Sequence, residues 1–387
     1  MKKTYYFTMG IVISIFTLFS CGGGSKTTTV EPTTESEESL SQESLVLNLS
    51  QEERLEIAKR YNKMEYLKEG LARVQAIDNT KYGFIDVSGK EVIPCVYDDS
   101  GEFCEGLAWA KKGGKYGFID KNGKEVIPFM YDDAGDFYAG LAWAKKGGKY
   151  GFIDKNGKEI IPFMYDEAKR FNEGLAAVKK NGKWGFVDKT GKLNIPLVYS
   201  DASSFAEGVA RVKNNSKKCG YIDKTGKVVI QMNYDIASSF ANGYAMVVNK
   251  FGSDAYEYAF INKGNKVVYG PYRVQGGRFM ATDPTHYWYL ASKQNLWFVP
   301  CKDENGKNVQ GVFNIETGGI LCYTNKVPGN NRLFDEMGFF ATIGVVDKNG
   351  VEIVPATYEW VYPLRAAGFF RGGSDYYNFN GEYVGSF

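Results

Sequence analysis

The sequence predicts an all-β protein built from a tandem repeat, and three observations carry the prediction. The segment Lys115-Tyr116-Gly117-Phe118-Ile119-Asp120-Lys121-Asn122-Gly123-Lys124 recurs unchanged at 149–158, and Gly83, Gly117, Gly151 and Gly185 are each 34 residues apart. The copy from Lys111 to Ala144 has glycines at 113, 114, 117, 123, 135 and 140, plus Pro128. In a helix interior each Gly costs about 1 kcal/mol and each Pro about 3, so a helical array of this period is excluded. Finally, 45 glycines, 27 tyrosines and 26 phenylalanines in 387 residues are the composition of many short strands and turns.

The elements follow from the N-terminus. Lys2 and Lys3 precede an uncharged apolar run at 9–19, and Leu18-Phe19-Ser20-Cys21 is followed by Gly22-Gly23-Gly24. The run is too short for a membrane span and fits a secretory signal over residues 1–20. The four residues ending in Cys21 resemble the lipobox of bacterial lipoproteins, with Phe19 bulkier than the usual residue there. That resemblance implies cleavage before Cys21, palmitate-type acylation of its sulfur, and attachment to a membrane of the cell envelope on its periplasmic or surface face. Acyl chains hold such an anchor at ~0.8 kcal/mol per buried CH₂. Residues 21–49 form a tether: Ser25 to Asn48 is rich in Ser, Thr and Glu, with one proline and no aromatic residue. It lacks the apolar surface to pack and reaches roughly 30 Å. Ser50 and Glu53 have capping-box spacing, and Leu55, Ile57, Ala58 and Tyr61 supply an apolar face, so a helix over 50–60 is expected to cap the first repeat.

Regular repeats run over 61–270, and degenerate ones with an irregular insertion over 271–387. In one unit, strands at Gly117–Asp120 and Lys124–Ile127 flank the turn Lys121-Asn122-Gly123, where Asp120 bonds the turn backbone and Gly takes positive φ. Pro128 ends the second strand, and a third follows Gly140 at Leu141–Lys145, in step with the signals Phe103 to Gly106, Phe137 to Gly140 and Phe171 to Gly174. Apolar residues on both strand faces mean cover on both faces, as in stacked units. The Gly after each Tyr or Trp then admits a neighbouring ring or backbone. Roughly nine such three-stranded units fit the length, and none is stable alone. The sequence leaves open whether they form an open solenoid or a propeller-like closure.

The pattern [Trp/Tyr]-Gly-[Phe/Tyr]-[Ile/Val]-Asp-x-x-Gly-Lys, then Ile-Pro, Tyr-Asp and Phe-x-x-Gly-[Leu/Val]-Ala, resembles the WG (KWG) β-repeat family of bacteria. The match runs from about Tyr61 to Ile261; Cys219 and Tyr258-Ala259 depart from the dipeptide, and 269–310 holds no clean copy. The resemblance implies an all-β array without assigned catalysis, and it brings no functional residues.

Candidate sites follow from the residues. The third position of the third strand reads Arg73, Trp109, Trp143, Ala177, Arg211 and Met246 in successive copies, beside a small apolar position at Val74, Ala110, Ala144, Val178, Val212 and Val247. The variable position is expected to face outward, with Trp109 and Trp143 flanked by Arg73 and Arg211 as a surface for sugar rings or a peptide. The plainer reading has both tryptophans filling a gap between units. Asp98-Asp99, Asp132-Asp133 and Asp166-Glu167 follow Tyr at a turn, where Asp normally bonds its own backbone, so turn chemistry is preferred over a calcium site or an acid/base pair. Cys95 with Cys104, and Cys301 with Cys322, are candidate disulfides in an oxidising compartment, while Cys219 reads as a buried thiol. His286 is the single histidine; beside Tyr287 and Trp288 it reads as a packed residue, and a C-terminal hydrolase would have to use it or an acidic pair.

Charge excludes one class of function. Lys and Arg number 47 against 45 Asp and Glu, and removing 1–20 leaves 45 of each sign, without the basic excess of a nucleic-acid binder. The sequence shows no cofactor motif and no metal-ligand set. It reads as a non-catalytic envelope module that binds a partner protein or, alternatively, glycan or peptidoglycan.

Overall fold

The computed structural model describes residues 47–251 and 255–275 throughout, and from 296 onward a series of strands and one 3-10 turn, all within a compact unit Leu40–Phe387. Cys21 and His286 lie outside the described residues, and Cys301 and Cys322 lie in strands described by their backbone alone.

Helix α1 (Gln51–Ala58) has the expected capping box: Ser50 Oγ accepts the Glu53 N–H at 3.2 Å, and Glu53 Oε2 accepts the Ser50 N–H at 2.9 Å. The first sheet unit follows as β1 (Tyr61–Lys68), β2 (Leu71–Ala76), β3 (Tyr82–Asp86) and β4 (Glu91–Tyr97), antiparallel in chain order. The second is β5 (Asp99–Ser100), β6 (Leu107–Lys112), β7 (Lys115–Asp120) and β8 (Glu125–Tyr131). Four-stranded units of the same order recur at 133–165, 167–199, 201–234 and 236–275. Among the described residues there are eight sheets, one of which joins two units, so the units number nine.

Two details differ from the sequence frame. Each regular unit after the first has a fourth strand, a two-residue segment such as Asp99–Ser100 that is too short to leave a periodic trace. And Pro128 does not end its strand, which runs on to Tyr131, because the proline sits where the ladder shifts register and needs no N–H from it. The Leu-Ala-Trp strand pairs with the aromatic-Gly strand that follows it, Leu107 to Lys112 against Asp120 to Lys115, across the turn Gly113-Gly114, with φ of +59° and +79°.

The ends of the array are joined. The last four strands (361–386) form one sheet with β1–β4, through a parallel bridge between Met64 and Leu364. Glu65 accepts a hydrogen bond from Arg365 at 2.6 Å, and Arg54 of α1 donates to the Ala367 carbonyl at 3.2 Å. The N-terminal edge that an open solenoid would expose is therefore occupied, and α1 covers the seam between first and last units.

Successive units are held by three repeated contacts. Phe84, Phe118, Phe152, Phe186 and Tyr221 each meet the turn phenylalanine of the next unit, Phe103, Phe137, Phe171, Phe205 and Phe240, at 4.8–4.9 Å and 60–65°. This edge-to-face packing is why the Phe-x-x-Gly signal keeps step with the aromatic-Gly signal. The hairpin glycines pack on the preceding unit's isoleucine: a Cβ on Gly123 would lie 3.3 Å from Ile93, and on Gly157 3.2 Å from Ile127. Ile57 of α1 takes that isoleucine's place against Gly89, so the helix substitutes for a missing neighbour.

The glycine of the aromatic-Gly dipeptide has the role expected of it. A Cβ on Gly117 would lie 2.6 Å from the Ile127 carbonyl oxygen and 2.9 Å from Phe129 N. The fourth strand bulges toward it there, because Tyr116 pairs with Tyr131 while Phe118 pairs with Ile127. The exposed Pro94, Pro128, Pro162 and Pro196 sit in these bulges and blunt the free edges against pairing with other chains.

Candidate functional site

Between its first and second strands each regular unit makes a tight two-residue turn: Glu105-Gly106, Ala139-Gly140, Glu173-Gly174, Glu207-Gly208 and Asn242-Gly243, closed by bridges such as Cys104 to Leu107. Both residues have positive φ, 55° and 87° at Glu105 and Gly106. The left-handed region strains a non-glycine residue, so a Glu held there calls for an offsetting interaction. The offset is a carboxylate bridge to the next unit. Glu69, the counterpart in the first unit, accepts the Glu105 N–H at 2.6 Å and the Gly106 N–H at 3.0 Å, and pairs with Lys121 at 3.2 Å. Glu105 takes the Gly140 N–H and Lys155, Glu173 the Gly208 N–H and Lys224, and Glu207 the Gly243 N–H and Lys263. Burial pushes the Glu69 carboxyl up, but the Lys121 and backbone hydrogen bonds outweigh it and hold the group below its ordinary value. The sequence reading passed over these glutamates, although their recurrence before each Gly was a usable signal.

The turns place their flanking side chains on corresponding positions of every unit. Before the buried Phe these are Glu102, Asp136, Arg170, Ser204 and Ser239; after it, Cys104, Tyr138, Asn172, Ala206 and Ala241. None of the ten is buried. Chemistry concentrates around the second and third turns. Lys68 Nζ donates to Cys104 Sγ at 3.1 Å and pairs with Glu102 at 3.3 Å. Asp136 keeps an exposed edge but is crowded on its inner side, and that crowding raises its carboxyl despite Lys68, Arg170 and a hydrogen bond from the Trp109 indole. Burial likewise raises the Cys104 thiol and outweighs the Lys68 hydrogen bond, so this sulfur is a neutral thiol and not an activated nucleophile.

The variable third position does not face outward as expected. Ala177 and Met246 are fully buried, Arg211 is 5 % exposed, and Trp109, Trp143 and Arg73 are half-buried. The cause is the stacking itself: this strand is covered on both faces, so alternation gives it no solvent side. From the second unit to the sixth, the third-position residue is matched by its hydrogen-bonded neighbour on the first strand or the turn after it. Trp109 and Trp143 lie over Gly101 and Gly135, where a Cβ would come 2.3 and 2.1 Å from the indole nitrogen. Ala177 is opposite Lys169, Arg211 opposite Ser203, and Met246 opposite Ser238. The rings also pack on Tyr116 and Tyr150, with centroids 5.5 and 5.6 Å apart. These contacts fit the gap-filling reading of both half-buried tryptophans.

The arginines are structural partners as well. Arg211 Nη1 donates to Asp201 at 2.8 Å; burial lifts the Asp201 carboxyl, and the Arg211 charge and hydrogen bond reverse this and hold it below its ordinary value. Arg73 donates to the Ser100 carbonyl of the next unit at 2.6 Å, approaches Glu65 at 3.5 Å, and lies 5.0 Å over the Tyr82 ring.

Cys95 and Cys104 are free and do not form the disulfide considered from the sequence. Cys95 is on β4, at the far edge of its sheet, where burial and the nearby Glu91 carboxylate push its thiol up to about 12; Cys104 is engaged by Lys68 in the following unit's turn. Cys219 is a buried thiol at 1 % exposure, as read. The acidic pairs divide their work. Asp98, Asp132 and Asp166 pair with Lys81, Lys115 and Lys149, whose hydrogen bonds hold them below their ordinary value. Asp99 and Asp133 bond the backbone of their own first strand, and Glu167 pairs with Lys179 at 2.6 Å.

Comparison with known proteins places this architecture. No curated protein matches the sequence. Among solved structures, BamB from Moraxella catarrhalis is similar at 10 % identity and TM-score 0.35, covering 54 % of this chain and 74 % of that one. A eukaryotic initiation factor is similar at 10 % identity and TM-score 0.47, covering 79 % and 94 %. Kluyveromyces lactis Hsv2 is similar at 9 % identity and TM-score 0.35, covering 51 % and 71 %. With TM-scores below 0.5 these likenesses carry no argument. The family model for the WG containing repeat matches residues 82–116, 116–150, 150–184, 184–217, 220–250 and 343–371, about half of the sequence. With a turn, a bulge and an inter-unit contact found behind each element of that pattern, the chain belongs to the WG containing repeat family.

Proposed function

We propose that this protein is a non-catalytic scaffold that binds a partner protein through its turn face and is held at the cell envelope by lipid on Cys21. One observation carries the reading. The framework is nearly uniform from unit to unit, with a buried Phe in every regular turn, while the flanking positions run through Glu, Asp, Arg and Ser on one side and Cys, Tyr, Asn and Ala on the other. A constant scaffold carrying varied side chains at corresponding, solvent-reachable places is how repeat arrays build a binding surface. The groups that most resemble catalytic ones support it too, since the Cys104 thiol is raised and the acidic pairs are engaged with lysines and backbone. The envelope placement rests on the signal and lipobox pattern ending at Cys21.

Cross-linking in intact cells tests the binding face. Changing Tyr138→Ala together with Arg170→Glu should remove the captured partner, while Val96→Ser with Met130→Ser on the fourth strands should not. Capture that survives the first pair and fails with the second would move the function to the opposite edge. For the anchor, Cys21→Ser should release the protein from the membrane fraction; its retention there would overturn that part of the reading.

A further inference from the structure

Among the junctions of the first six units, one carboxylate bridge is missing. The position that holds Glu69, Glu105, Glu173 and Glu207 is Ala139 in the third unit. At the four bridged junctions the carboxylate meets the turn-Gly N–H and the hairpin lysine of the next unit. Between the third and fourth units the counterparts are the Gly174 N–H and Lys189, and the donors remain although the acceptor is absent. Lys121, Lys155, Lys224 and Lys263 all pair with a bridging Glu, whereas Lys189 has no ion pair among the described residues. Gly106, Gly140, Gly208 and Gly243 are half-buried beneath their bridges, while Gly174 is exposed. Glu173 cannot fill the place, because its own carboxylate reaches forward to Gly208 and Lys224.

The surroundings of this place differ from those at the other junctions in the direction a ligand requires. Tyr138, the residue before Ala139, is 42 % exposed, and the Arg170 guanidinium lies 5.5 Å over its ring. A cation and an aromatic edge thus stand beside a backbone N–H and an ammonium already shaped to receive a carboxylate. Successive N–H groups in a left-handed turn are a general anion-binding device.

We infer that the junction between the third and fourth units is a receptor for a carboxylate supplied by a partner protein, the side chain of an Asp or Glu in an acidic segment. The inference deepens the reading of the turn face as the binding surface and rests on it. The occupant is part of a macromolecule because one surface ion pair contributes at most about 1 kcal/mol, too little to retain a small free acid. A segment that also contacts Tyr138 and Arg170 delivers its carboxylate at high local concentration.

The test uses the full-length protein and a fluorescein-labelled peptide of consecutive glutamates, with its glutamine counterpart and a phosphoserine counterpart, read by anisotropy. Lys189→Ala should weaken glutamate-peptide binding about tenfold, and Lys155→Ala, at a bridged junction, should change it less than twofold. Ala139→Glu, which supplies the missing bridge from within, should weaken binding at least tenfold. Ala139→Gln fills the place without charge and should do the same, separating occupation from repulsion. Unchanged binding in Lys189→Ala or Ala139→Gln overturns the inference, as does equal binding of the glutamine peptide or tighter binding of the phosphoserine peptide. No binding of the glutamate peptide overturns it as well. In that event the Tyr138 and Arg170 variants decide separately whether the turn face binds a partner at all.

Discussion

Changing Glu69 to Gln isolates the chemistry of one carboxylate bridge. The side chain is 30 % exposed and receives two backbone N–H groups, at 2.6 and 3.0 Å, and Lys121 at 3.2 Å. A hydrogen bond to a charged group contributes about 1.5–3 kcal/mol where water is excluded, and a surface ion pair about 0.2–1. Gln keeps one acceptor oxygen and loses the charge, so at this exposure the expected loss is about 1 kcal/mol. The dependence on pH has a fixed sign. Because the folded-state value lies below the ordinary one, the contribution is complete above the unfolded value near 4.5 and disappears as pH falls through the folded value. The measurement is amide hydrogen exchange at Glu105 and Gly106 in both proteins, at neutral pH and in steps downward from 4.5. At neutral pH the variant should exchange about fivefold faster at these two amides, the equivalent of ~1 kcal/mol. As pH falls through the folded-state value and Glu69 takes up its proton, the rates should converge. Equal exchange at neutral pH, or a difference that persists in acid, would refute the argument.

Other changes test the remaining contacts. Ala139→Glu should raise the urea midpoint by the equivalent of about 0.5–1 kcal/mol, since Gly174 and Lys189 are left ready for it. Gly117→Ala should cost about 2–4 kcal/mol in the same assay, because its Cβ meets backbone at 2.6 Å that no rotamer change relieves, whereas Gly106→Ala, with nothing within 4 Å and only a φ of +87° to resist it, should cost about 1. Asp201→Asn leaves Arg211 buried without its counter-charge and should destabilise by about 2 kcal/mol, discounted because Asp201 is 37 % exposed; replacing both by apolar residues should recover most of the loss. Trp109→Ala should lower stability by roughly 2–3 kcal/mol by opening the contact over Gly101, and retention on cell-wall material should not change.

What could be read from the residues divides along a physical line. The repeat, the capping box, the Asp turns and the glycine after each ring are local: each rests on residues within about a dozen positions and follows from backbone sterics and hydrogen bonding. Asp120 does bond the Asn122 and Lys124 amides at 2.9 Å, as its spacing requires. The direction of the third position was not legible, because alternation names a solvent face only when one face is uncovered. The clue lay eight residues earlier, where Gly101 and Gly135 accompany the two tryptophans and larger residues accompany Ala177, Arg211 and Met246. Cys95 and Cys104 are close in sequence but belong to successive units, and proximity along the chain misled there. Pairing of Met64 with Leu364 is separated by some 300 residues and leaves no local mark at either end.

That shared sheet has a consequence for how the gene can change. A linear array tolerates gain or loss of one unit at modest cost, because each unit meets only its neighbours. Here a lost or added unit would displace Leu364 from Met64 and separate Arg365 from Glu65, breaking the joint along with one ordinary interface. Copy number is thereby fixed by geometry, and variation is channelled into substitutions on the turns. A chain emerging N-terminus first also keeps β1 unpaired on that side until almost all of it has been delivered. Its final stability then arrives in one step, when the last unit takes its place.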